Sequence, residues 1–331
     1  TGGGRAEAPP RDADMRSTLK EVGDAYESGR LLAGAERLAA LTSVQQSVAQ
    51  VLHGRLDADQ RAAARFLSGR LHHDLGEYAP AGEDFRAAAG AHGDSPFEDD
   101  AAFAAIEALE ASGEDAEAAR EWLKWDKRFP QSPLLPGARL KQTWNALRRG
   151  EGAWARKQMV TLSASHPWLR KDPQFVLADA TASYLAGHPS EALTTLGSLP
   201  SEPTMIYLKA LCLQAQGKLL KAAAAYQEVA ERFPDQALRD VAMLGKANTF
   251  LLARDYRSAA GEFARVAARA SDAGVVAEAE LRAAGAVFLS GGADSALTLL
   301  RGVEGIGLVG GRLHGPAGAQ AVGQPVEIGA G

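Results

Sequence analysis

Landmark residues recur along this chain at nearly constant intervals, and this period constrains the fold more than any other feature of the sequence. Three steps of 37 residues are followed by one step of 30 and by two more steps of 37. The seven landmarks are Gly76, Gly113, Gly150, Gly187, Gly217, Arg254 and Gly291. An alanine stands five residues after each landmark, and a large apolar or aromatic residue stands four residues further on. A fixed period of this length indicates an array of stacked structural repeats.

Each repeat is predicted to be two helices that meet at the landmark residue. Apolar residues on both sides of Gly217 keep the three- and four-residue spacing of amphipathic helices. Glycine suits the end of the first helix. Proline ends the second helix by withholding an N–H group, as expected at Pro130, Pro167 and Pro234. The sequence therefore predicts a nearly all-α array of antiparallel helix hairpins, with about sixteen helices in seven to eight repeats of about 37 residues.

The repeat that follows Gly187 is shorter than the others, because Pro200 and Pro203 remove about two turns from its second helix. We expect a change of curvature there. The two ends are rich in glycine, proline and charge, and the chain starts at Thr1, so we expect either a removed export segment or a piece of a longer chain. The predicted segments are a flexible lead, an N-terminal subarray, a C-terminal subarray, and a tail or the start of a further domain: residues 1–14, 15–199, 200–304 and 305–331.

Composition narrows the classes of function. The 331 residues carry a formal net charge of −5 with acids and bases interspersed, so nothing suggests a basic surface for nucleic acid. No apolar run approaches the roughly 18 to 20 residues that a membrane span needs. Cys212 is the single cysteine, which excludes an intrachain disulfide framework, and we expect it to be a small packing residue.

Two groups of polar residues suggest chemistry, and each has a simpler interpretation. His73 and Glu77 are four residues apart, a spacing that suits two metal ligands, but no third ligand follows a recognisable pattern, and a solvated helix face is the favoured interpretation. Glu98, Asp99 and Asp100 offer paired carboxylates, but acids at a helix start also satisfy free N–H groups and the helix dipole. We predict no catalytic, cofactor or metal site, and we expect that the chain is not an enzyme.

The spacing of glycine, alanine, large residue and proline over residues 60–304 resembles the tetratricopeptide repeat. The 37-residue period and the closing phrase Arg-Phe-Pro resemble more specifically the bacterial envelope repeat proteins of the outer-membrane assembly lipoprotein type and of the Tol-Pal coordinator type. This resemblance implies a right-handed superhelix whose concave groove holds a peptide or a partner helix. It also implies a periplasmic or outer-membrane-associated location, with the cytoplasm as the alternative.

The resemblance points to particular groove residues. With each landmark taken as position 15 of its repeat, Trp144, Arg148, Tyr184 and Tyr207 occupy positions 9, 13, 12 and 5, which face the groove in the resembled family. The predicted partner-binding residues are Arg70, Phe103, Trp144, Arg148, Tyr184 and Tyr207. Trp144 and Tyr207 have an alternative role, in which they pack between successive first helices. All five tryptophans fall within 47 residues, and by the same register Trp122 and Trp125 are predicted to be core.

Three functions remain open at this point. The first is a non-enzymatic scaffold that binds a peptide or protein partner in its groove. The second is the recognition region of a larger envelope protein whose catalytic or ligand-binding domain follows residue 331. The third is a helical-repeat enzyme acting on cell-wall glycan, which would need two carboxylates at hydrolytic distance. The oligomeric state is not predicted.

Overall fold

The computed structural model describes residues 12–90, 98–197, 202–233, 236–270 and 272–303. Within these ranges the chain forms sixteen α-helices, one short 3-10 helix and no strand, which confirms the predicted all-α fold. The elements are α1 (Asp12–Arg30), α2 (Gly34–Leu52), α3 (Ala58–Asp74), α4 (Tyr78–Ala89), α5 (Glu98–Ala111), α6 (Asp115–Arg128), α7 (Leu135–Arg148), α8 (Gly152–Ser165), η1 (Pro167–Lys171), α9 (Pro173–Leu185), α10 (Pro189–Leu196), α11 (Pro203–Ala215), α12 (Leu219–Arg232), α13 (Gln236–Leu252), α14 (Tyr256–Arg269), α15 (Ala273–Leu289) and α16 (Ala293–Val303).

The seven landmark residues all end a first helix in the same way. The six landmark glycines have φ between 72° and 92°, and Arg254 takes the same left-handed conformation at φ 59°. The residue after each landmark donates its backbone N–H to the carbonyl four residues before the landmark, as Glu77 does to His72 at 2.8 Å and Lys218 to Leu213 at 2.9 Å. These bonds occupy carbonyls that the helix end would leave free. The chain then reverses direction, which makes each pair of helices an antiparallel hairpin.

The alanine five residues after each landmark lies at the contact between the two helices of its hairpin. All seven of these alanines are buried: Ala81, Ala118, Ala155, Ala192, Ala222, Ala259 and Ala296. The large residue four positions further on is buried in six hairpins: Phe85, Trp122, Met159, Leu196, Tyr226 and Phe263. A small side chain lets the helices approach and a large one fills the space beside it, so the predicted repeat register is confirmed.

The second helices end where the sequence predicted. Helix α6 ends at Arg128, two residues before Pro130, and α8 ends at Ser165, two residues before Pro167. Helix α10 has only eight residues, whereas α6 and α8 have 14 each. This shortening agrees with the prediction for the 30-residue repeat.

The chain divides into two compact units, residues 1–145 and 146–331, and the division falls within α7. The predicted boundary between subarrays near residue 200 stays a prediction. The predicted tail, residues 305–331, and the first eleven residues of the predicted lead lie outside the described ranges. None of the described helices combines the length and the hydropathy needed to cross a bilayer.

The first unit is held together partly by an aromatic cluster between α5 and α6. Trp122 and Trp125 are buried, as predicted, and Phe103 meets their rings edge-on with centroids 4.9 and 6.0 Å away. Each indole is also hydrogen-bonded. The Nε1 of Trp122 donates to Glu110 at 3.1 Å, and the Nε1 of Trp125 donates to the carbonyl of Asp99 at the same distance. Buried rings whose polar edge finds a partner are among the strongest contributors to a core.

Candidate functional site

A cleft in the second unit lies between the first helices of three successive hairpins, α11, α13 and α15. Helix α12 supplies one further wall residue. The lining residues are Tyr207, Leu211, Gln214, Tyr226, Val241, Leu244, Gly245, Asn248, Glu278 and Arg282. The volume is about 90 Å³, which suits one side chain and its flanking backbone better than a small-molecule ligand.

Two tyrosines form the aromatic wall of this cleft. The rings of Tyr207 and Tyr226 have centroids 5.5 Å apart and planes inclined at 62°. Gly245 on α13 makes this arrangement possible, because a Cβ at that position would lie 2.6 Å from Cε1 of Tyr226. Such a distance is well inside van der Waals contact, so any larger residue at Gly245 would displace the ring.

The polar groups of the cleft are oriented by contacts with one another. The hydroxyl of Tyr226 donates to Oε1 of Gln214 at 3.3 Å. Nη1 of Arg282 donates to Oδ1 of Asn248 at 2.6 Å, and Nη2 of Arg282 lies 2.7 Å from Oε1 of Glu278. Both amide oxygens are therefore occupied. The amide nitrogens of Gln214 and Asn248 remain as hydrogen-bond donors, since neither has a partner among the described residues.

Burial keeps the aromatic hydroxyls of this region protonated. Burial raises the pKa of Tyr207, and the neighbouring Tyr184 raises it further. The pKa of Tyr226 is raised by the same cause, with Tyr207 as the next contribution. Cys212, on the same helix as Tyr207, is a buried free thiol whose pKa burial raises to about 12. The cleft thus presents neutral hydroxyl groups, which donate and accept hydrogen bonds without adding charge.

The second unit contains three of the residues predicted to bind a partner. Tyr207 lines the cleft with an exposed fraction of only 2%, and the Tyr226 ring packs against its ring, which agrees with the alternative packing role. Tyr184 on α9 is half-buried, and burial raises its pKa. Arg148, the last residue of α7, is partly exposed and does not line the cleft. The proposed role of these three residues in binding stays a prediction.

The other three predicted residues belong to the first unit. Trp144 on α7 is partly exposed. Phe103 packs against the buried tryptophans of α6, and the guanidinium of Arg70 lies 4.6 Å from the centroid of the Tyr26 ring. Nη1 of Arg70 also lies 3.0 Å from a carboxylate oxygen of Glu27. Phe103 and Arg70 therefore have packing roles within this unit, and their role in binding a partner stays a prediction.

The polar groups that suggested chemistry are engaged in structural contacts. The carboxylate of Glu77 lies 2.5 Å from Nδ1 of His72, whereas His73 meets the ring of Tyr78 edge-on at 5.3 Å. Asp99 accepts a hydrogen bond from Ser132 at 2.6 Å, which ties α5 to the loop after α6. No group of three or more metal-ligating side chains occurs in the part of the chain that the structure describes.

Sequence reasoning missed four polar residues of the cleft: Gln214, Asn248, Glu278 and Arg282. The repeat register contained the signal that would have found two of them. Asn248 stands at position 9 of its repeat, like Trp144, and Gln214 stands at position 12, like Tyr184. The predicted groove residues are all aromatic or arginine side chains, so the amides at equivalent positions were not predicted.

The fold is similar to that of solved helical-repeat proteins. A tetratricopeptide repeat protein from Parabacteroides merdae ATCC 43184 aligns with a TM-score of 0.60 and 11% identity, over 80% of this chain and 97% of that protein. The apo form of RapI aligns with a TM-score of 0.57 and 9% identity, over 88% of this chain and 86% of RapI. The sequence matches no family model and no curated protein. At this level of identity the similarity shows a tetratricopeptide-like fold.

Proposed function

We propose that this chain is a non-enzymatic scaffold that binds an extended segment of a partner protein in the cleft between α11, α13 and α15. The observation that carries the proposal is the arrangement of the two amides. Gln214 and Asn248 stand on successive first helices, and each has its oxygen occupied and its nitrogen available. Two oriented donors on neighbouring helices suit the carbonyl groups of an extended backbone, which are regularly spaced acceptors.

The apolar residues of the cleft supply the second part of the recognition. Leu211, Val241 and Leu244 line the same small volume as the polar groups. An apolar side chain of the partner would exclude water from this surface, at about 25 cal/mol for each Å² that is buried. The partner segment that fits best therefore has an apolar residue between backbone carbonyls that accept from the amides.

The charges of the cleft support binding over hydrolysis. Glu278 is the only carboxylate among the lining residues, and Arg282 neutralises it at 2.7 Å. Hydrolysis of a glycan would use two carboxylates about 5 to 10 Å apart. A single carboxylate, paired as Glu278 is, suits a role in which it holds the Arg282 side chain in place.

Selection of peptides from a random displayed library on the whole chain tests this proposal. Gly245→Ala forces Tyr226 to move and should weaken binding of the selected peptides about tenfold or more. Gly69→Ala is the matched control, because an added Cβ there meets the Phe85 ring at 2.7 Å, equally close, but in the first unit. It should reduce stability and leave binding unchanged.

A second variant probes the donors directly. Asn248→Asp keeps the shape of the side chain and replaces the donating nitrogen with an acceptor, so it should repel a backbone carbonyl and weaken the same peptides. Peptides that bind equally well to wild type, Gly245→Ala and Asn248→Asp would show that the cleft is not the binding site.

We also propose that the chain works in the bacterial cell envelope. The proposal rests on the 37-residue period and the Arg-Phe-Pro phrases that resemble envelope repeat proteins. Cell fractionation with an antibody against the chain tests it. Recovery of the native protein in the cytoplasmic fraction alone would contradict the envelope location and would leave the binding proposal intact.

A further inference from the structure

The last hairpin of the second unit, formed by α15 and α16, carries a large exposed apolar surface. Leu281, Phe288 and Leu289 on α15 are exposed to 48%, 62% and 53%, and Leu299 on α16 is exposed to 45%. Side chains of this size seldom stand together in water on a monomer. We call this surface, defined by these four residues and Gly285, the terminal face.

The equivalents of Leu281 and Leu299 in the preceding hairpins are buried, whereas Leu252, the equivalent of Leu289, is exposed to 57% although a further hairpin follows it. Leu244 and Tyr207 occupy the position of Leu281 and are exposed to 5% and 2%. Ala225 occupies the position of Leu299 and is also buried. In those hairpins the next first helix packs alongside, as α13 does on α12 and α15 does on α14. The terminal face therefore corresponds to the surface on which the next first helix packs in the preceding hairpins. A helix packed beside it would bury its apolar residues in the same way.

Helix α1, the first helix of the first unit, has a charged outer side instead of an apolar one. The exposed side of α1 carries charged side chains, among them Arg16, Lys20, Glu21 and Asp24. A polar outer face is what a helical array needs at an end that meets water. A charged α1 is a poor match for an apolar terminal face, which argues against head-to-tail stacking of copies.

The arrangement of α15 makes the terminal face complementary to itself. Leu281, Gly285 and Phe288 are spaced by four and three residues and share one side of the helix. An added Cβ at Gly285 would meet nothing within 4 Å, so the middle of this stripe is open to close approach. If a second α15 crossed antiparallel at Gly285, Leu281 of each copy would meet Phe288 of the other.

We propose that the terminal face binds a second copy of this chain, in a two-fold symmetric dimer with the α15 helices crossing at Gly285. The large–glycine–large stripe reads the same in both directions, which is what an isologous interface requires. The α15 helix of a second copy would pack where the next first helix packs in the preceding hairpins. Its apolar residues would then contact those of the terminal face.

Sedimentation equilibrium of the full chain over a concentration series tests the dimer. We expect a mass of twice the monomer's 34.7 kDa at micromolar concentration. Phe288→Glu should raise the dissociation constant about 30-fold or more, since it places a charge at the centre of an apolar contact. Leu220→Glu is the matched control, because Leu220 is also an exposed large apolar residue, at 84%, but lies on α12. It should leave the dimer unchanged.

A cysteine at the crossing point tests the symmetry separately. Gly285→Cys should form a disulfide-linked dimer on oxidation, whereas the native Cys212 is buried and Leu220→Cys should not link the copies. A mass of one monomer at every concentration, or a dimer that Phe288→Glu leaves intact, would overturn the proposal. A monomer that Phe288→Glu destabilises would also overturn it, and would assign the terminal face to the chain that follows α16.

Discussion

Replacement of Arg254 by glycine should stabilise the second unit. Arg254 stands where the other six landmarks are glycine, and it holds the same left-handed backbone at φ 59°. An L-residue is strained there, because its Cβ crowds the following carbonyl. The side chain is exposed, and no hydrogen bond or ion pair of the Arg254 side chain occurs among the described residues. Little is therefore lost with the side chain.

The size of the effect follows from two opposing contributions. Relief of left-handed strain is worth about 1 to 2 kcal/mol. Glycine also makes the unfolded chain more flexible, which costs about 0.4 to 1 kcal/mol. At the midpoints of these two ranges, the difference predicts that the free energy of unfolding rises by about 0.8 kcal/mol. For a unit of this size, that corresponds to a melting temperature about 1 to 4 °C higher.

Urea unfolding followed by circular dichroism measures this change, with calorimetry for the melting temperature. Gly217→Ala is the reciprocal control, since Gly217 makes the same turn at φ 72° in a neighbouring hairpin. We expect it to lower the free energy of unfolding by about 1 kcal/mol. If Arg254→Gly is neutral or destabilising while Gly217→Ala behaves as expected, Arg254 makes a stabilising contribution through its side chain and the strain argument fails.

Three further predictions concern other parts of the chain. Ala222→Leu should cost about 1 to 3 kcal/mol in urea unfolding, because Ala222 is fully buried at a close helix contact, and an unchanged midpoint would contradict the repeat register. Trp144→Ala should leave capture of a peptide by the cleft unchanged, because Trp144 belongs to the first unit and does not line the cleft, and weaker capture with little change in melting temperature would instead support the binding role predicted for Trp144. Burial, together with a 2.7 Å hydrogen bond to Asp74, raises the pKa of Tyr26 from 10.0 to about 12. Its contribution to the free energy of unfolding is therefore complete below pH 10 and is lost as the pH rises to about 12, and alkaline unfolding that is the same for wild type and Tyr26→Phe would contradict this.

The helices and their register were predictable because their determinants are local. The turn at Gly217 needs a left-handed residue, the end of α6 needs a residue such as Pro130 just beyond it, and Ala222 must be small where two helices meet. Each requirement is met by residues a few positions apart, so each leaves its mark in the sequence. Because the sequence is periodic, the same helix ends and the same close contact are predicted in every hairpin.

The state of individual side chains was less predictable, because it depends on the neighbouring hairpin. Position 5 was expected to turn Tyr207 toward the groove or between successive first helices, but its ring packs against Tyr226, which can stand there only because Gly245 lacks a side chain. That glycine comes from the hairpin after the one that contains both tyrosines. No local pattern around Tyr207 reports it, although the repeat register aligns all three residues once the stacking is known.

The cleft illustrates how an array obtains a specific site from equivalent positions. Helix α11 contributes positions 5, 9 and 12, whereas α15 contributes positions 2 and 6. These positions recur in every hairpin, but only here do an amide at position 9 and an arginine at position 6 of the next repeat meet, as Asn248 and Arg282 at 2.6 Å. Phe103 and Tyr207 share position 5, yet one packs on tryptophans and the other lines a cleft. The repeated backbone fixes where side chains meet, and the pairing of unlike residues from successive repeats determines the shape and the polar groups of the cleft.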